Sequence, residues 1–200
     1  KHDDLEVQTL DLFSADLPAV AGVNIKTKYA LMTGQPIDEA ARGSWRSIER
    51  TIEEFLAADV YLLTAPMWNF GVPYALKYYI DAIVQPGYLF QYDEHGAPHG
   101  LVHGKKLVCV TSRGADYSGP LASLDFLEPY LRTIFGFVGI ADQTFFNAQP
   151  MDVTPELRRA AFAAVIADVR AWVAQDEWGV AAQVLEQPIP AGAKPAVLAE

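Results

Sequence analysis

The chain has few residues of the types that mark several protein classes. A single cysteine in 200 residues excludes an internal disulfide and any metal site built from several cysteines. Lysine and arginine number 15 against 25 acidic residues, and the net charge of −10 disfavours nucleic-acid and anionic membrane partners. No apolar run approaches the about 18 residues of a membrane span, and the first residues lack a signal-peptide pattern. We therefore expect a cytoplasmic protein with neither a membrane nor a nucleic-acid partner.

Short catalytic motifs are missing as well. The sequence contains no G-x-G-x-x-G, no P-loop, no H-E-x-x-H and no G-x-S-x-G. Kinase, metalloprotease and hydrolase functions therefore have no support. His95, His99 and His103 recur every fourth residue, which on a helix would form a metal-binding face. Glycines and a proline interrupt that segment and disfavour a helix, so no metal is predicted, and metal binding stays the weaker alternative.

What the chain does contain is a regular alternation of apolar segments. Hydrophobic residues make up 51% of it and charged residues 20%, which indicates a folded core. Short continuous apolar runs alternate with segments of helical periodicity, and this order is typical of an α/β protein with a parallel sheet and helices on both faces. We expect one domain over residues 1–175 and an Ala/Pro-rich tail over 176–200.

The predicted elements follow from periodicity and from turn residues. Ser44 is the expected N-cap of the first long helix, and Thr154 with Pro155 should open the last one. Residues 18–36 contain prolines and glycines and are expected to form a loop with at most a helical turn. The remaining expectations are strands at 5–12, 59–65, 106–112 and 143–148, helices at 73–84 and 123–137, and a hairpin insertion around 87–104.

Two predicted strands end in unusual loops, and ligands of open α/β sheets bind beyond the carboxyl ends of the strands. The stretch from Pro66 to Pro73 carries a tryptophan, a phenylalanine and a methionine, which can wall a planar ligand. The stretch from Thr111 to Pro120 carries glycines that let backbone amides point inward. Together they predict a slot for a planar, hydrogen-bonding heterocycle. Ordinary loop packing remains the alternative for each stretch alone, and Cys109, between valines, is expected to be inert.

These residues resemble a known family. The segment Pro66-Met67-Trp68-Asn69-Phe70-Gly71-Val72-Pro73, followed by Leu76-Lys77-Tyr78-Tyr79-Ile80-Asp81, is similar to a stretch of the FMN-dependent NADH-azoreductases. The similarity continues through Phe90 and Tyr92, Gly100 to Lys106, the turn at Thr111 to Gly114, and Tyr130 to Ile140. It spans residues 5–175 and implies a flavodoxin-like three-layer sandwich that reduces quinones and azo compounds.

The resemblance also implies a cofactor and the residues that hold it. FMN would be bound tightly but non-covalently, and NADH or NADPH would be the electron donor. The implied flavin-binding residues are Pro66, Met67, Trp68, Asn69 and Phe70 around the isoalloxazine ring, Ser112, Arg113 and Gly114 at its pyrimidine edge, and Tyr117 near its outer face. No catalytic side chain is assigned, and Tyr92, Tyr117 or water are the alternative proton donors.

The implied reaction is a two-electron ping-pong transfer in a homodimer with its active sites at the interface. Tyr92, on the insertion, would reach towards the neighbouring subunit's site. Two features depart from the family pattern: Ala115 replaces a glycine, and no segment matches the N-terminal strand, phosphate-binding loop and helix, so this unit is expected to be missing. A flavodoxin-like electron carrier and a flavin-free dimeric binding module are the alternatives.

Overall fold

A computed structural model describes residues 5–175, which form a parallel sheet flanked by helices. The tail predicted over 176–200 lies outside the described residues. In chain order the elements are α1 (Val23–Met32), α2 (Glu39–Ala57), β1 (Val60–Pro66), α3 (Tyr74–Ile83), β2 (Phe90–Tyr92), β3 (Pro98–Gly100), β4 (Lys106–Ser112), a 3₁₀ turn (Ala122–Leu124), α4 (Glu128–Phe137), β5 (Asp142–Ala148) and α5 (Pro155–Ala174). The expected α/β class is confirmed.

The described sheet has the strand order β1–β4–β5, and both strand pairs are parallel. Its central strand is buried on both faces from Lys106 to Cys109, as its continuous apolar run predicts. The register pairs Pro66 with Ser112 and Ser112 with Ala148, the last residues of the three strands. All three carboxyl ends therefore lie side by side at one edge of the sheet, where a ligand site of this fold class is expected.

Helices pack on both faces of the sheet. On one face, α2, α3 and α4 bury a single apolar cluster against Leu107 and Cys109 of β4. Ile48 and Ile52 of α2 are fully buried there, and each contributes about 1.5–3 kcal/mol by leaving water. On the other face, the Phe146 ring of β5 lies 5.8 Å from the Trp172 ring of α5. In the described part of the chain, no helix is both long and apolar enough to cross a membrane.

The start of α2 differs from the prediction. The helix begins at Glu39, and the Asp38 carboxylate accepts a hydrogen bond from the Ala41 N–H at 2.7 Å. Ser44 therefore lies inside the helix and was wrongly expected to cap it. Asp38 is the stronger N-cap because its carboxylate also interacts favourably with the helix dipole.

The first part of the described chain also differs. Residues 5–12 form no strand, and Leu5 and Val7 are 69% and 81% exposed. Alternation alone does not make a strand, because its backbone groups need a neighbour, and this segment pairs with no strand of the described sheet. The expected loop over 18–36 contains a ten-residue helix, α1, which fits between Gly22 and Gly34 because both glycines adopt a positive φ at its ends.

The helix expected over 123–137 is interrupted. A 3₁₀ turn ends at Leu124, and α4 starts at Glu128. Asp125 lies between them, and its Oδ1 accepts hydrogen bonds from the N–H groups of Leu127 and Glu128 at 2.9 and 3.2 Å. A side chain that caps the backbone in this way favours a break over a continuous helix.

The insertion forms the expected hairpin, with β2 antiparallel to β3. The Asp93 carboxylate organises its turn by accepting hydrogen bonds from two backbone N–H groups and bonding the His99 ring at 3.0 Å. The His99 contact lowers the pKa of Asp93. Gly100 lies directly on the end of α4, where a Cβ atom would overlap the backbone of Val138 and Gly139. Among residues 5–175, no cluster of three or more His, Cys, Asp or Glu could hold a metal ion.

Candidate active site

The loops that follow the three strands are joined by backbone hydrogen bonds. The Met67 N–H donates to the Ser112 carbonyl at 2.7 Å, and the Arg113 N–H donates to the Ala148 carbonyl at 3.0 Å. The loop after β5 returns to the centre, since the Met151 N–H donates to the Arg113 carbonyl at 2.8 Å. The two loops singled out from the sequence thus lie together, and the loop after β5 completes the site.

Residues 68–71 form a tight turn, called here the Asn69 turn. Trp68 and Gly71 exchange two backbone hydrogen bonds of 3.0 Å, and Asn69 and Phe70 between them have φ values of 47° and 69°. Positive φ at both central residues is what a type I′ turn requires. Asparagine tolerates this conformation, but in phenylalanine it costs about 1–2 kcal/mol. Such strain persists only where the surrounding structure fixes the backbone.

Several backbone N–H groups at this edge have no partner in the described part of the chain. The N–H groups of Asn69 and Phe70 in the Asn69 turn make no hydrogen bond there, nor does that of Gly114 in the following loop. Residues 113–117, called here the Gly114 loop, are anchored on the other side because Asp152 donates its N–H to the Gly114 carbonyl at 2.8 Å. The site therefore presents unpaired donors from two fixed loops.

Aromatic rings stand beside these donors. Trp68 is 45% exposed, and its ring centroid lies 5.5 Å from that of Phe13 and 6.3 Å from that of Tyr74. Phe13 also packs edge-on against Tyr74 at 5.7 Å. Sequence reasoning missed Phe13, since it was placed next to a predicted strand rather than at the site. The three rings are tilted against one another and form an apolar cluster beside the unpaired donors, with Trp68 exposed to a ligand.

An open groove of about 800 Å³ extends from the Asn69 turn between α3 and α4. Trp68 and Asn69 line it together with Lys77, Phe126 and Tyr130. Burial, followed by the negative charge of Asp81, raises the pKa of Tyr130 to about 12. Its hydroxyl is protonated at neutral pH and stays so in alkaline solution. The other flavin-binding residues implied by the resemblance do not line this groove.

The remaining expected residues divide into two groups. Pro66 ends β1, Ser112 ends β4, and Tyr117 donates its N–H to the Gln149 side chain at 3.1 Å, so all three belong to this edge. The Arg113 side chain is fully buried beneath the loops, where its guanidinium bonds Asp125 and Thr111. Its contact with a flavin stays a prediction. Gln149 follows β5, and the rule that selected the other two strand ends would have found it.

Comparison with known proteins decides the family. A family model described as a flavodoxin-like fold matches residues 1–173. This chain belongs to the flavodoxin-like family. It is 41% identical over 172 residues to an FMN-dependent NADH:quinone oxidoreductase 2 from Xanthomonas euvesicatoria pv. vesicatoria, covering 84% of this chain and 78% of the relative.

Two further comparisons agree with that assignment. An FMN-dependent NADH:quinone oxidoreductase from Nitratidesulfovibrio vulgaris (strain DP4) is 41% identical over 138 residues, which are 68% of this chain and 66% of that protein. The match thus spans just under two thirds of that relative. A crystal structure of an azoreductase from Bacillus anthracis str. Sterne superimposes with a TM-score of 0.73 at 27% identity, covering 84% of this chain and 80% of that one. The resemblance to flavodoxin-like quinone and azo reductases is confirmed.

Tyr92 is the one expected site residue that the flavodoxin-like fold does not bring to this edge. Its ring packs on Phe90, which in turn contacts Phe137 at the far end of α4. The site borders the start of α4, and a ten-residue helix is about 15 Å long. Within one chain, Tyr92 is therefore remote from the Asn69 turn.

Proposed function

We propose that this chain is an FMN-dependent NADH:quinone oxidoreductase that also accepts azo compounds. The observation that carries the proposal is the pairing of two anchored loops, with unpaired N–H groups, at one edge of the sheet beside an exposed tryptophan. An isoalloxazine ring needs both an apolar side chain to pack against and donors for its polar edge. The relatives named above, which carry this activity in their names, support the proposal.

The chain's residues fit such a ring in a specific way. The N–H groups of Asn69 and Phe70 would donate to it from one side and the N–H of Gly114 from the other, since these donors have no partner among residues 5–175. Met67 and Trp68 would pack against its apolar part. Bound FMN supplies hydride acceptance and two-electron transfer, for which the protein provides position and electrostatics.

In this proposal, individual groups of the protein have distinct tasks. N–H donors fixed in advance stabilise negative charge that develops on a bound ring, without reorganising during the reaction. Trp68 shields that ring from water, and the groove beside it leaves room for a nicotinamide or for an aromatic acceptor to occupy the same place in turn. Alternating occupancy of one place implies ping-pong kinetics. Tyr117 or water would deliver protons, as would Tyr92 if a second copy brings it near.

An absorbance titration tests the proposal. The purified protein is mixed with FMN, then with NADH under exclusion of oxygen, and then with a benzoquinone. We expect flavin absorbance bands that shift on binding, bleach with NADH and recover with the quinone, followed by steady NADH oxidation without a partner protein. Failure to take up FMN would reject the proposal. Binding and bleaching with no turnover on quinone would instead favour an electron carrier.

Asn69→Asp tests the placement of the ring. A carboxylate at the tip of the Asn69 turn would repel electron density on the reduced ring, so we expect weaker FMN binding and a more negative reduction potential. Gln175→Glu is the matched control. It adds the same charge at the end of α5, close to Trp172, whose ring lies 5.9 Å from the Lys106 Nζ at the start of β4 and therefore at the opposite edge of the sheet. Equal affinities and potentials in the two variants would contradict the placement.

We further propose that two copies associate through the groove side of the molecule. Tyr74 and Phe126, next to the groove, are 71% and 59% exposed, and Phe70 is 47% exposed. Aromatic residues that are exposed around one groove mark interaction surfaces. Sedimentation equilibrium should give twice the chain mass, and Phe126→Ser should weaken the association. A monomer with full activity at assay concentration would refute this part of the proposal.

A further inference from the structure

The buried arginine at the end of β4 has a more specific task than filling space. The Arg113 side chain has no exposed surface, and its Nε and Nη2 donate to Oδ2 of Asp125 at 3.1 and 2.8 Å. Its Nη1 donates to the Thr111 hydroxyl at 2.6 Å. A guanidinium held by two of its nitrogens on one carboxylate oxygen has a fixed orientation. Arg113 thus ties β4 to the segment that precedes α4.

That segment leads directly to the Asn69 turn. Asp125 uses its second oxygen to cap α4, and the next residue, Phe126, donates its N–H to the Phe70 carbonyl at 2.9 Å. Phe70 is the residue with the costly positive φ. The contact from Arg113 through Asp125 and Phe126 therefore ends on the peptide that the turn strains most. No other backbone hydrogen bond within residues 5–175 joins the segment before α4 to this turn.

The same arginine belongs to the other loop by its backbone. The Arg113 N–H and carbonyl are both hydrogen-bonded, to Ala148 and Met151, so the residue is the fixed root of the Gly114 loop. The Arg113 side chain therefore holds the segment that contacts the Asn69 turn, and the Arg113 main chain anchors the Gly114 loop. Through this one residue the positions of the two loops are coupled.

A closed polar cluster surrounds the guanidinium. The Thr111 hydroxyl donates to Oδ1 of Asn147 at 2.7 Å, the Asn147 amide donates to Oε2 of Glu128 at 2.6 Å, and Glu128 lies 3.5 Å from Arg113. Arg132 neutralises the second acid of the cluster, at 2.7 Å from Glu128. Removing Arg113 would leave the Asp125 carboxylate, which is only 14% exposed, without its cation, a change that is costly away from water.

We propose that Arg113 is a positioning residue that sets the spacing between the Asn69 turn and the Gly114 loop, and that it acts from beneath the ligand rather than by touching it. The identity of the ligand as FMN rests on the proposed function. The coupling of the two loops does not, because it follows from contacts within the chain alone. Lysine cannot replace this arginine, since an ammonium lacks the planar fork that holds Asp125 and Thr111 together.

The test uses hydrogen–deuterium exchange on the FMN-free full chain, followed by FMN titration monitored by fluorescence quenching. The variants are Arg113→Lys, Arg113→Met and Asp125→Asn, and the control is Arg132→Gln, which removes the half-exposed arginine of the same cluster. We expect faster exchange in residues 67–72 and 113–118 of all three variants. We also expect an FMN dissociation constant raised by about tenfold or more. The control variant should have the same exchange rates and the same FMN dissociation constant as the parent chain.

Each outcome decides something different. The proposal is overturned if Arg113→Lys folds and its hydrogen exchange and FMN affinity equal those of the parent chain. A loss of protection spread evenly over the sheet also overturns it, because that result describes a purely structural residue. If Arg113→Met does not fold, the exchange and FMN binding of Arg113→Lys and Asp125→Asn decide whether Arg113 positions the loops. If the parent chain binds no FMN, the proposed function falls, while the exchange data still decide whether Arg113 couples the loops.

Discussion

At the scale of single residues, the site depends on backbone conformation more than on reactive side chains. The unpaired N–H groups of Asn69, Phe70 and Gly114 come from the main chain, and the side chain that controls their spacing, Arg113, is buried. Substitutions here should therefore be judged by what they do to φ and to hydrogen bonds. Phe70 provides the sharpest case, because its φ of 69° is unfavourable for any residue with a Cβ.

Phe70→Gly and Phe70→Ala separate the backbone from the side chain. Both variants lose the half-exposed ring, but only glycine adopts the positive φ without strain. We expect the glycine variant to have a free energy of unfolding about 1 kcal/mol higher than the alanine variant, as measured by urea denaturation. If the alanine variant has an equal or higher free energy of unfolding, the conformation described for this turn is contradicted.

Cys109 should be inert in the folded chain. It is completely buried in β4, and burial raises the pKa of its thiol to about 12, so almost no thiolate exists at neutral pH. We expect an aromatic disulfide reagent to label it only after unfolding, at the rate at which the protein unfolds. Stoichiometric labelling within minutes under native conditions would refute this expectation. A sample in guanidinium chloride provides the control for full reactivity.

At the scale of elements, the sequence predicts those strands and helices that are specified by their hydrophobic pattern. The strands over 60–66, 106–112 and 142–148 and the helix opened by Thr154 follow from continuous apolar runs and a cap, and the structure confirms them within one or two residues. The strand over 5–12 was wrong because pairing is non-local. The break at Asp125 was missed because a side chain competes locally with the helix, and periodicity does not report such competition.

The candidate site divides in the same way. The two loops were predictable, since the strands before them are recognisable and ligands bind at their ends. Phe13 and the cluster around Arg113 were not, because their contacts join positions far apart in sequence, such as Thr111 with Asn147 and Arg113 with Asp125. Position in a motif likewise does not show whether a charged side chain faces a ligand or the interior.

The start of α2 offers a test at this scale. Asp38→Ala removes the carboxylate that accepts the Ala41 N–H, and it should lower the free energy of unfolding by about 1 kcal/mol. Ser44→Ala is the matched control: Ser44 lies inside the helix, where alanine is the better helix former, so stability should stay equal or rise slightly. Thermal and urea denaturation followed by circular dichroism would compare them. A larger loss of stability in Ser44→Ala than in Asp38→Ala would place the helix start at Ser44.

At the scale of the whole molecule, buried tyrosines tie stability to alkaline pH. Burial raises the pKa of Tyr79 to about 12, and burial also raises the pKa of Tyr61 and of Tyr88. In the unfolded chain these hydroxyls lose their protons near the ordinary value of about 10. Between those values the folded chain holds more protons than the unfolded chain, so stability is complete below pH 10 and decreases as the pH rises above it.

Urea denaturation between pH 8 and 11 measures this dependence. We expect a constant free energy of unfolding up to about pH 9.5, given the ordinary tyrosine pKa, and a steady decrease beyond it. Tyr79→Phe should make the decrease shallower, and Tyr29→Phe, at a residue that is 60% exposed, is the control for loss of a tyrosine hydroxyl. Identical slopes in all three chains would refute a contribution from Tyr79.

The hairpin of β2 and β3 has a practical consequence for protein engineering. Its contact with α4 passes through Gly100, where the backbone of Val138 leaves no room for a side chain, while Glu94 and His95 at its tip face the solvent. A library of inserted peptides should therefore be accepted at the tip, whereas saturation of codon 100 should return glycine alone. The tip, remote from the Asn69 turn within one chain, is a natural place for a fluorophore, an affinity tag or a surface-immobilisation handle.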